Sequence, residues 1–223
     1  AGINISGLAI GIAACLLILQ YVTFELSYEK FHVNKDRIYR VQQDRYDNGK
    51  LSTQWAAGAY AVGNAFKAEI PEIEDYVKVL KRNAAVTEID GQPLKIDKVF
   101  YASGSFFKIF SYPLIEGNKN NALTEPFTAA LSATTARKIF GHASVVGKSL
   151  ELNKNTLYTI TAVYQDAPVN TQLRPDIILS YATFVSVQTK RNNNPEVAWT
   201  WDGCLTYLLL RPGAKPATVE KKF

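Results

Sequence analysis

The chain has 223 residues, a formal charge of +5 from 25 Lys and Arg against 20 Asp and Glu, and 47% hydrophobic residues. That composition builds a core, so it excludes a disordered chain, and with two cysteines and 13 glycines it excludes disulfide scaffolds and collagen-like repeats. No charged side chain precedes Glu25, which argues against a purely soluble protein.

Ile3 to Phe24 is a run of 22 uncharged residues, above the roughly 18 that mark a membrane span. As a helix it reaches about 33 Å, the thickness of a hydrocarbon core. Asn4, Ser6, Gln20 and Thr23 lie near its ends, and Tyr21 and Phe24 sit where an interfacial aromatic belt belongs. A buried helix of a soluble domain shows a polar stripe, and this one has none. A cleaved signal peptide has a shorter apolar stretch. Ile12-Ala13-Ala14-Cys15 resembles a lipoprotein cleavage box, yet the apolar run continues past Cys15. The expectation is an uncleaved transmembrane helix. A start at Ala1 and the absence of Met read as a fragment.

Gly7 and Gly11 lie four apart inside the span, with Ala14 and Cys15 one turn on, a spacing that admits a second membrane helix at close range. The alternative is that glycine is simply common in membrane helices. Tyr21, Phe24, Tyr28 and Phe31 follow at steps of three, four and three. They predict one aromatic face on a helix that continues past the membrane as a stalk.

Further along, Arg37 to Gln43 predicts a strand, Asp47 to Lys50 a hairpin turn, and Ala57 to Glu69 a helix stopped by Pro71. Tyr76 to Leu80 predicts a strand, and Ala85–Ile89 with Leu94–Ile96 a hairpin about Asp90-Gly91. A short helix is expected over Ser103–Phe110, capped by Ser103 or Ser105, and a strand over Phe127–Leu131. Ser132 to Phe140 reads as a helix closed by Gly141. Ser149–Leu152 and Leu157–Tyr164 read as a hairpin whose second strand alternates as a half-exposed one does. Arg191 to Pro195 reads as a surface loop, Trp199–Leu210 as the strongest strand, and Lys215 to Phe223 as the start of a helix.

Chemistry-bearing patterns are sparse. His32 and His142 are far apart, and Cys15 and Cys204 have no partner at ligand spacing, so no metal site is expected. Gly147-Lys148-Ser149 ends like a phosphate loop, but its upstream Gly141 is one residue too far and a strand follows where a helix is needed. Glu72, Glu74 and Asp75 read as a solvated acidic turn. Lys78, Lys81 and Arg82, and Lys190-Arg191, read as solvated basic faces without a nucleic-acid motif. No catalytic, cofactor-binding or metal residue is nominated.

Two blocks carry a family resemblance. The first is Asn4-Ile5-x-Gly7-Leu8, then Glu25-x-Ser27-Tyr28-Glu29-x-Phe31-His32, then Asp36-Arg37-Ile38-Tyr39-Arg40-Val41. The second is Val99 to Phe110, Leu114-Ile115-Glu116-Gly117-Asn118, Leu131-Ser132, Ala136 to Gly141, Val146-Gly147-Lys148 and Ile160 to Val163. In this order they resemble permease subunits of MacB-like (FtsX-type) ABC transporters, in the form common in Bacteroidetes.

The resemblance implies an α+β fold with one N-terminal transmembrane helix. A periplasmic domain of βαβ porter-like halves follows, with an inserted, sabre-like lobe of mixed hairpins and helices. The expected division is residues 1–32 for the helix and stalk and 33–223 for the core domain, truncated at its C-terminus. Within that domain, 33–98 and 174–223 are porter-like and 99–173 are the inserted lobe. The implied function is a non-catalytic permease subunit in the bacterial inner membrane. It couples cytoplasmic ATP hydrolysis to movement of a periplasmic substrate by mechanotransmission, through the stalk residues Tyr21, Phe24, Tyr28 and Phe31. The implied partners are a separate ATP-binding cassette subunit, a second permease unit, membrane lipid, and a periplasmic adaptor or a peptide or lipoprotein substrate. No nucleic acid is implied. The alternative is a membrane-anchored binding or regulatory module, whose tether need not be stiff. The sequence names no substrate.

Overall fold

The computed structural model describes residues 2–223. Helix α1 (Gly2–Glu25) is apolar on every side, so only lipid or another protein surface can cover it. None of the span Asn4–Glu25 is buried within the chain. The hydroxyls of Ser6 and Thr23 are satisfied inside the helix, on the carbonyls of Gly2 (3.0 Å) and Leu19 (2.7 Å), as an apolar surround requires.

The domain then runs through β1 (Ile38–Arg40), β2 (Gln43–Asp47), β3 (Lys50–Trp55) and α2 (Val62–Glu69). Next come β4 (Ile73–Lys81), β5 (Ala85–Ile89), β6 (Gln92–Ile96), β7 (Val99–Ala102), α3 (Phe106–Ile109) and β8 (Leu114–Gly117). Then follow β9 (Thr128–Ser132), α4 (Ala133–Phe140), β10 (Ser149–Leu152) and β11 (Thr156–Tyr164). The chain closes with β12 (Ile177–Ser180), α5 (Tyr181–Thr189), β13 (Leu205–Leu210) and α6 (Pro216–Glu220).

Nine strands form one mixed sheet in the order β1-β13-β4-β7-β12-β9-β11-β10. β8 shares the outer edge of β11 with β10. The pairs β7–β12 and β9–β11 are parallel, and the remaining pairs are antiparallel. The unit β9-α4-β11 returns through a helix, the connection that a parallel pair needs. Two hairpins, β2–β3 and β5–β6, stand off the sheet.

Both faces of the sheet are covered. One carries Val77, Val79, Phe106, Phe110, Tyr112, Tyr164 and Ile178, and the other Ile96, Leu131, Leu150, Ile160, Ile177 and Leu179. Ile177, Ile178 and Leu179 alternate between these clusters, so central β12 is a continuous buried apolar run. The same double cover buries Ala162, Val163 and Tyr164 in succession, so the end of β11 is fully buried and not half-exposed.

Several elements form as expected. Ser132 caps α4 by accepting from the Thr135 N–H, and Gly141 closes it at φ 79°. Asn48 and Gly49 take φ 48° and 77° in the β2–β3 turn, as a primed hairpin turn requires. Others are shorter than expected. Residues 57–61 are not helical, because Gly58 bridges Cys204 and Ala57, Ala59 and Ala61 are buried. The last sheet strand starts at Leu205, after an irregular segment with Trp199 exposed. The strand expected over Arg37–Gln43 splits between β1 and β2.

The boundaries expected at 98/99 and 173/174 cut through this sheet. β7 pairs with β4 at Val79↔Ala102 and with β12 at Ile177↔Val99. Val99 and Ala102 are buried there, so residues 99–173 contribute strands to the common sheet and build no separate one.

Candidate functional site

The functional question for an anchored domain is how its anchor is fastened. α1 ends at Glu25, and residues 26–31 are turns. The Leu26 N–H still reaches the Val22 carbonyl at 2.9 Å. The Ser27 N–H (3.0 Å) and Oγ (2.6 Å) then both donate to the Phe24 carbonyl, a local bond that competes with further helix. Glu29 turns left-handed at φ 57°. The expected helical stalk through Tyr21, Phe24, Tyr28 and Phe31 is therefore corrected. Phe24 and Tyr28 still meet edge to face at 5.6 Å, but Tyr21 stays on the exposed helix and Phe31 turns into the domain.

A side-chain joint replaces the stalk. The Glu29 carboxylate accepts from the Thr171 hydroxyl (2.6 Å) and the Gln172 N–H (2.7 Å), and its Oε2 lies 3.3 Å from His32 Nε2. The Glu29 N–H donates to the Asn170 carbonyl at 3.1 Å. The Asn170 amide donates back to the Ser27 carbonyl (3.0 Å) and hydroxyl (2.8 Å). His32 is buried, and its Nδ1 accepts from the Ser111 N–H at 3.0 Å. That bond leaves Nε2 as the ring's donor toward Glu29. Ser111 Oγ in turn accepts from the Val33 N–H at 2.9 Å. Two polar strings thus tie the end of α1 to the 170–172 loop and to the segment after α3.

Aromatic packing carries the joint into the sheet. Phe31 meets Tyr112 at 5.6 Å and His32 meets Phe110 at 5.1 Å. Phe110 contacts Tyr207 of β13 at 5.1 Å, and the Tyr112 hydroxyl donates to the Leu173 carbonyl. Beyond the joint, Arg37 donates to Glu74 (2.6 Å), the Leu210 carbonyl (2.9 Å) and Asn34 Oδ1 (2.7 Å), which pins the approach to β1.

The electrostatics favour an ionised Glu29. Burial alone pushes its carboxyl up. Hydrogen bonds from His32, the Gln172 backbone and Thr171 outweigh that and hold it below the usual carboxylate range. Burial raises the phenol of Tyr112, so it stays a neutral donor.

The remaining sequence candidates fall elsewhere. Gly7 and Gly11 lie on the uncovered face of α1, and a Cβ at either meets nothing within 4 Å. Glu72 pairs with Lys222 and Glu74 with Arg37. Gly147 (φ 87°) turns the chain into β10. Among the described residues no group of three or more His, Cys, Asp or Glu is placed to hold a metal, and Cys15 and Cys204 are free thiols. Lys78, expected on a solvated face, is instead buried beside Glu196. Sequence reasoning passed over Ser111, Asn170, Thr171 and Gln172. The polar density of Ser27, Glu29 and His32 was the one local signal of a joint.

Comparison with known proteins follows the same lines. The family model of the MacB-like periplasmic core domain matches residues 1–223. Among solved structures, a domain described as that of a permease protein from Porphyromonas gingivalis superposes with a TM-score of 0.70 at 23% identity, over 86% of this chain and 82% of that one. The periplasmic region of MacB from Actinobacillus actinomycetemcomitans gives a TM-score of 0.56 at 11% identity, over 83% and 80%. The extracellular domain of the ABC-type transporter YknZ from Gram-positive bacteria gives 0.56 at 11%, over 82% and 88%. These likenesses share the fold. No curated protein matches the chain in sequence.

Proposed function

The chain belongs to the MacB-like periplasmic core domain family, and from that premise we propose that it is the first membrane helix and outer domain of an ABC-transporter permease. In this reading α1 lies in the bacterial inner membrane and the domain in the periplasm. A separate ATP-binding cassette subunit hydrolyses ATP in the cytoplasm, and a second permease unit completes the pair. Helix motion driven by nucleotide is passed to the domain, which moves a periplasmic adaptor or a peptide or lipoprotein substrate. The domain itself does no covalent chemistry.

The observation that carries this reading is the fastening of Glu29 to Thr171, Gln172 and His32. A passive tether needs only a flexible chain. Here the turn after α1 is fixed on two sides by groups about 80 and 140 residues away in sequence, and through Phe110 it is packed on a central sheet. These contacts support a stiff connection between the end of α1 and the sheet.

The test uses the full permease with its ATP-binding subunit in liposomes and spin labels at Leu157, an exposed sheet position. Nucleotide is expected to change the distance between the paired domains. The double variant Glu29→Gln, His32→Ala is expected to keep ATP hydrolysis and lose that change. A domain that does not respond to nucleotide, or a double variant that responds as the wild type does, overturns the reading.

A further inference from the structure

The span Asn4–Glu25 is long enough to fill a hydrocarbon core, so its end at Glu25 stands at the headgroup layer, about 5–7 Å deep on each side. Tyr21 and Phe24 are exposed on the last turns of α1, where interfacial aromatics belong. The chain does not climb away from that layer as a helix, because residues 26–31 are turns. A segment bonded to those turns is therefore held close to the lipid surface.

One such segment lies far away in sequence. Residues 165–176 form the loop between β11 and β12. The Asn170 side-chain amide of this loop bonds the carbonyl (3.0 Å) and hydroxyl (2.8 Å) of Ser27, two residues past the helix end. Its carbonyl takes the Glu29 N–H at 3.1 Å. Val169, next to Asn170, is 62% exposed, and Leu26, next to Ser27, is 64% exposed. A scattered apolar residue on a surface needs no explanation. These two flank one contact, at the point where an apolar span ends.

The polar groups around them suit a phosphate. Arg174 is exposed, and its one bond among the described residues is a long one, 3.5 Å to the Val169 carbonyl. Its other N–H donors are open to an outside acceptor. Lys30 is exposed on the turn itself. The carboxylates of the loop are occupied elsewhere or set apart. Asp166 accepts from the N–H (3.1 Å) and hydroxyl (2.7 Å) of Thr134, and Asp176 is fixed at the start of β12 by backbone bonds to Ser132 and Lys98. Glu29 is taken up by Thr171, Gln172 and His32, which leaves Glu25 at the helix end against Lys30 and Arg174. An exposed apolar side chain beside a guanidinium with open donors matches the headgroup layer, apolar below and phosphate above.

We propose that the loop between β11 and β12 is a second membrane contact of the domain. Val169 and Leu26 sit in the headgroup layer, and the Arg174 guanidinium hydrogen-bonds lipid phosphate. The proposal rests on the reading that α1 spans the bilayer, and on no other part of the transport account.

The full chain, with Cys15 and Cys204 replaced, is reconstituted in vesicles of phosphatidylcholine and phosphatidylglycerol in equal parts, with one spin label at position 169. Labels at Leu16, inside α1, and at Leu157, 63% exposed at the other end of β11, are the references. The label's own apolarity is the same at 157 and 169, so a difference between them reports position. At 169 a water-soluble nickel chelate is expected to reach the label severalfold less than at 157, while oxygen reaches it more. Arg174→Glu should move the 169 label toward the 157 values, and no change strikes the phosphate contact from the proposal. A label at 169 as open to nickel as that at 157, with the Leu16 label deep in lipid, overturns the membrane contact alone. A 169 label shielded from both reagents is covered by protein and overturns it as well. A Leu16 label open to nickel overturns the placement of α1, and this proposal with it.

Discussion

Glu29 and His32 stand one turn apart, with Oε2 and Nε2 3.3 Å from each other, and each reaches a different part of the domain. Glu29 takes the N–H of Gln172, and His32 takes the N–H of Ser111. This pair, and not an extended helix, makes the connection between α1 and the sheet. Its consequences are measurable.

Glu29→Gln keeps the shape of the side chain but puts an amide NH2 where two donors now converge. One of Thr171 and Gln172 is left facing another donor. A loss of about 1–2 kcal/mol is expected, since the site is only partly buried. Thermal unfolding of the full chain in detergent measures it. An unchanged midpoint means that the contact carries no stability.

The same carboxylate sets an acid limit. Its pKa is lower folded than unfolded. Its contribution is therefore complete above the unfolded value of about 4.3 and is lost as pH falls through the folded value. The stability gap between wild type and Glu29→Gln should be constant near neutrality and narrow as pH falls below the unfolded value of about 4.3. A gap that persists at the acid end assigns the effect to shape and not to charge.

Gly117 ends β8 at φ 97°, and a Cβ there would lie 2.4 Å from the Thr161 carbonyl oxygen and 2.8 Å from Ala162 Cα. Both neighbours are backbone of β11 and cannot step aside. Gly117→Ala is expected to cost about 3 kcal/mol or more, from strain and overpacking together. Thermal unfolding midpoints compare it with wild type, and a cost below that of an ordinary surface change contradicts the geometry.

The membrane glycines behave in the opposite way. A Cβ at Gly7 or Gly11 meets nothing in this chain. Gly7→Ile and Gly11→Ile should leave domain unfolding unchanged while weakening association with a second membrane helix. Cross-linking of the assembled permease in native membranes checks the second part. Wild-type cross-linking in both variants removes these glycines from any interface.

Local rules make much of this fold legible. Ser132 and Gly141 bracket α4, Asn48-Gly49 and Asp90-Gly91 turn two hairpins, and a charge-free run makes α1. These depend on a few neighbouring residues. The joint depends on pairs 142 and 143 residues apart, and nothing near Glu29 names Thr171 or Gln172 as partners. The spacing of Tyr21, Phe24, Tyr28 and Phe31 pointed to a helix, but local bonds from Ser27 to the Phe24 carbonyl compete with it after Glu25, and Glu29 then turns left-handed onto its tertiary partners. Lys78 read as a surface charge because a buried lysine differs from an exposed one only in its surroundings, here Glu196, Tyr76 and Tyr181. β12, the central strand, lacks the alternation that marks half-exposed strands, because both its faces are covered.

The central claim is that the end of α1 and the sheet move as one body. Spin labels at Val22 and Leu157, with Cys15 and Cys204 replaced, report that distance in the full permease in liposomes. A single narrow distribution that does not change with nucleotide, and that broadens in the double variant Glu29→Gln, His32→Ala, is the predicted result. A broad distribution in the wild type, or one that the double variant leaves as it is, would contradict the claim.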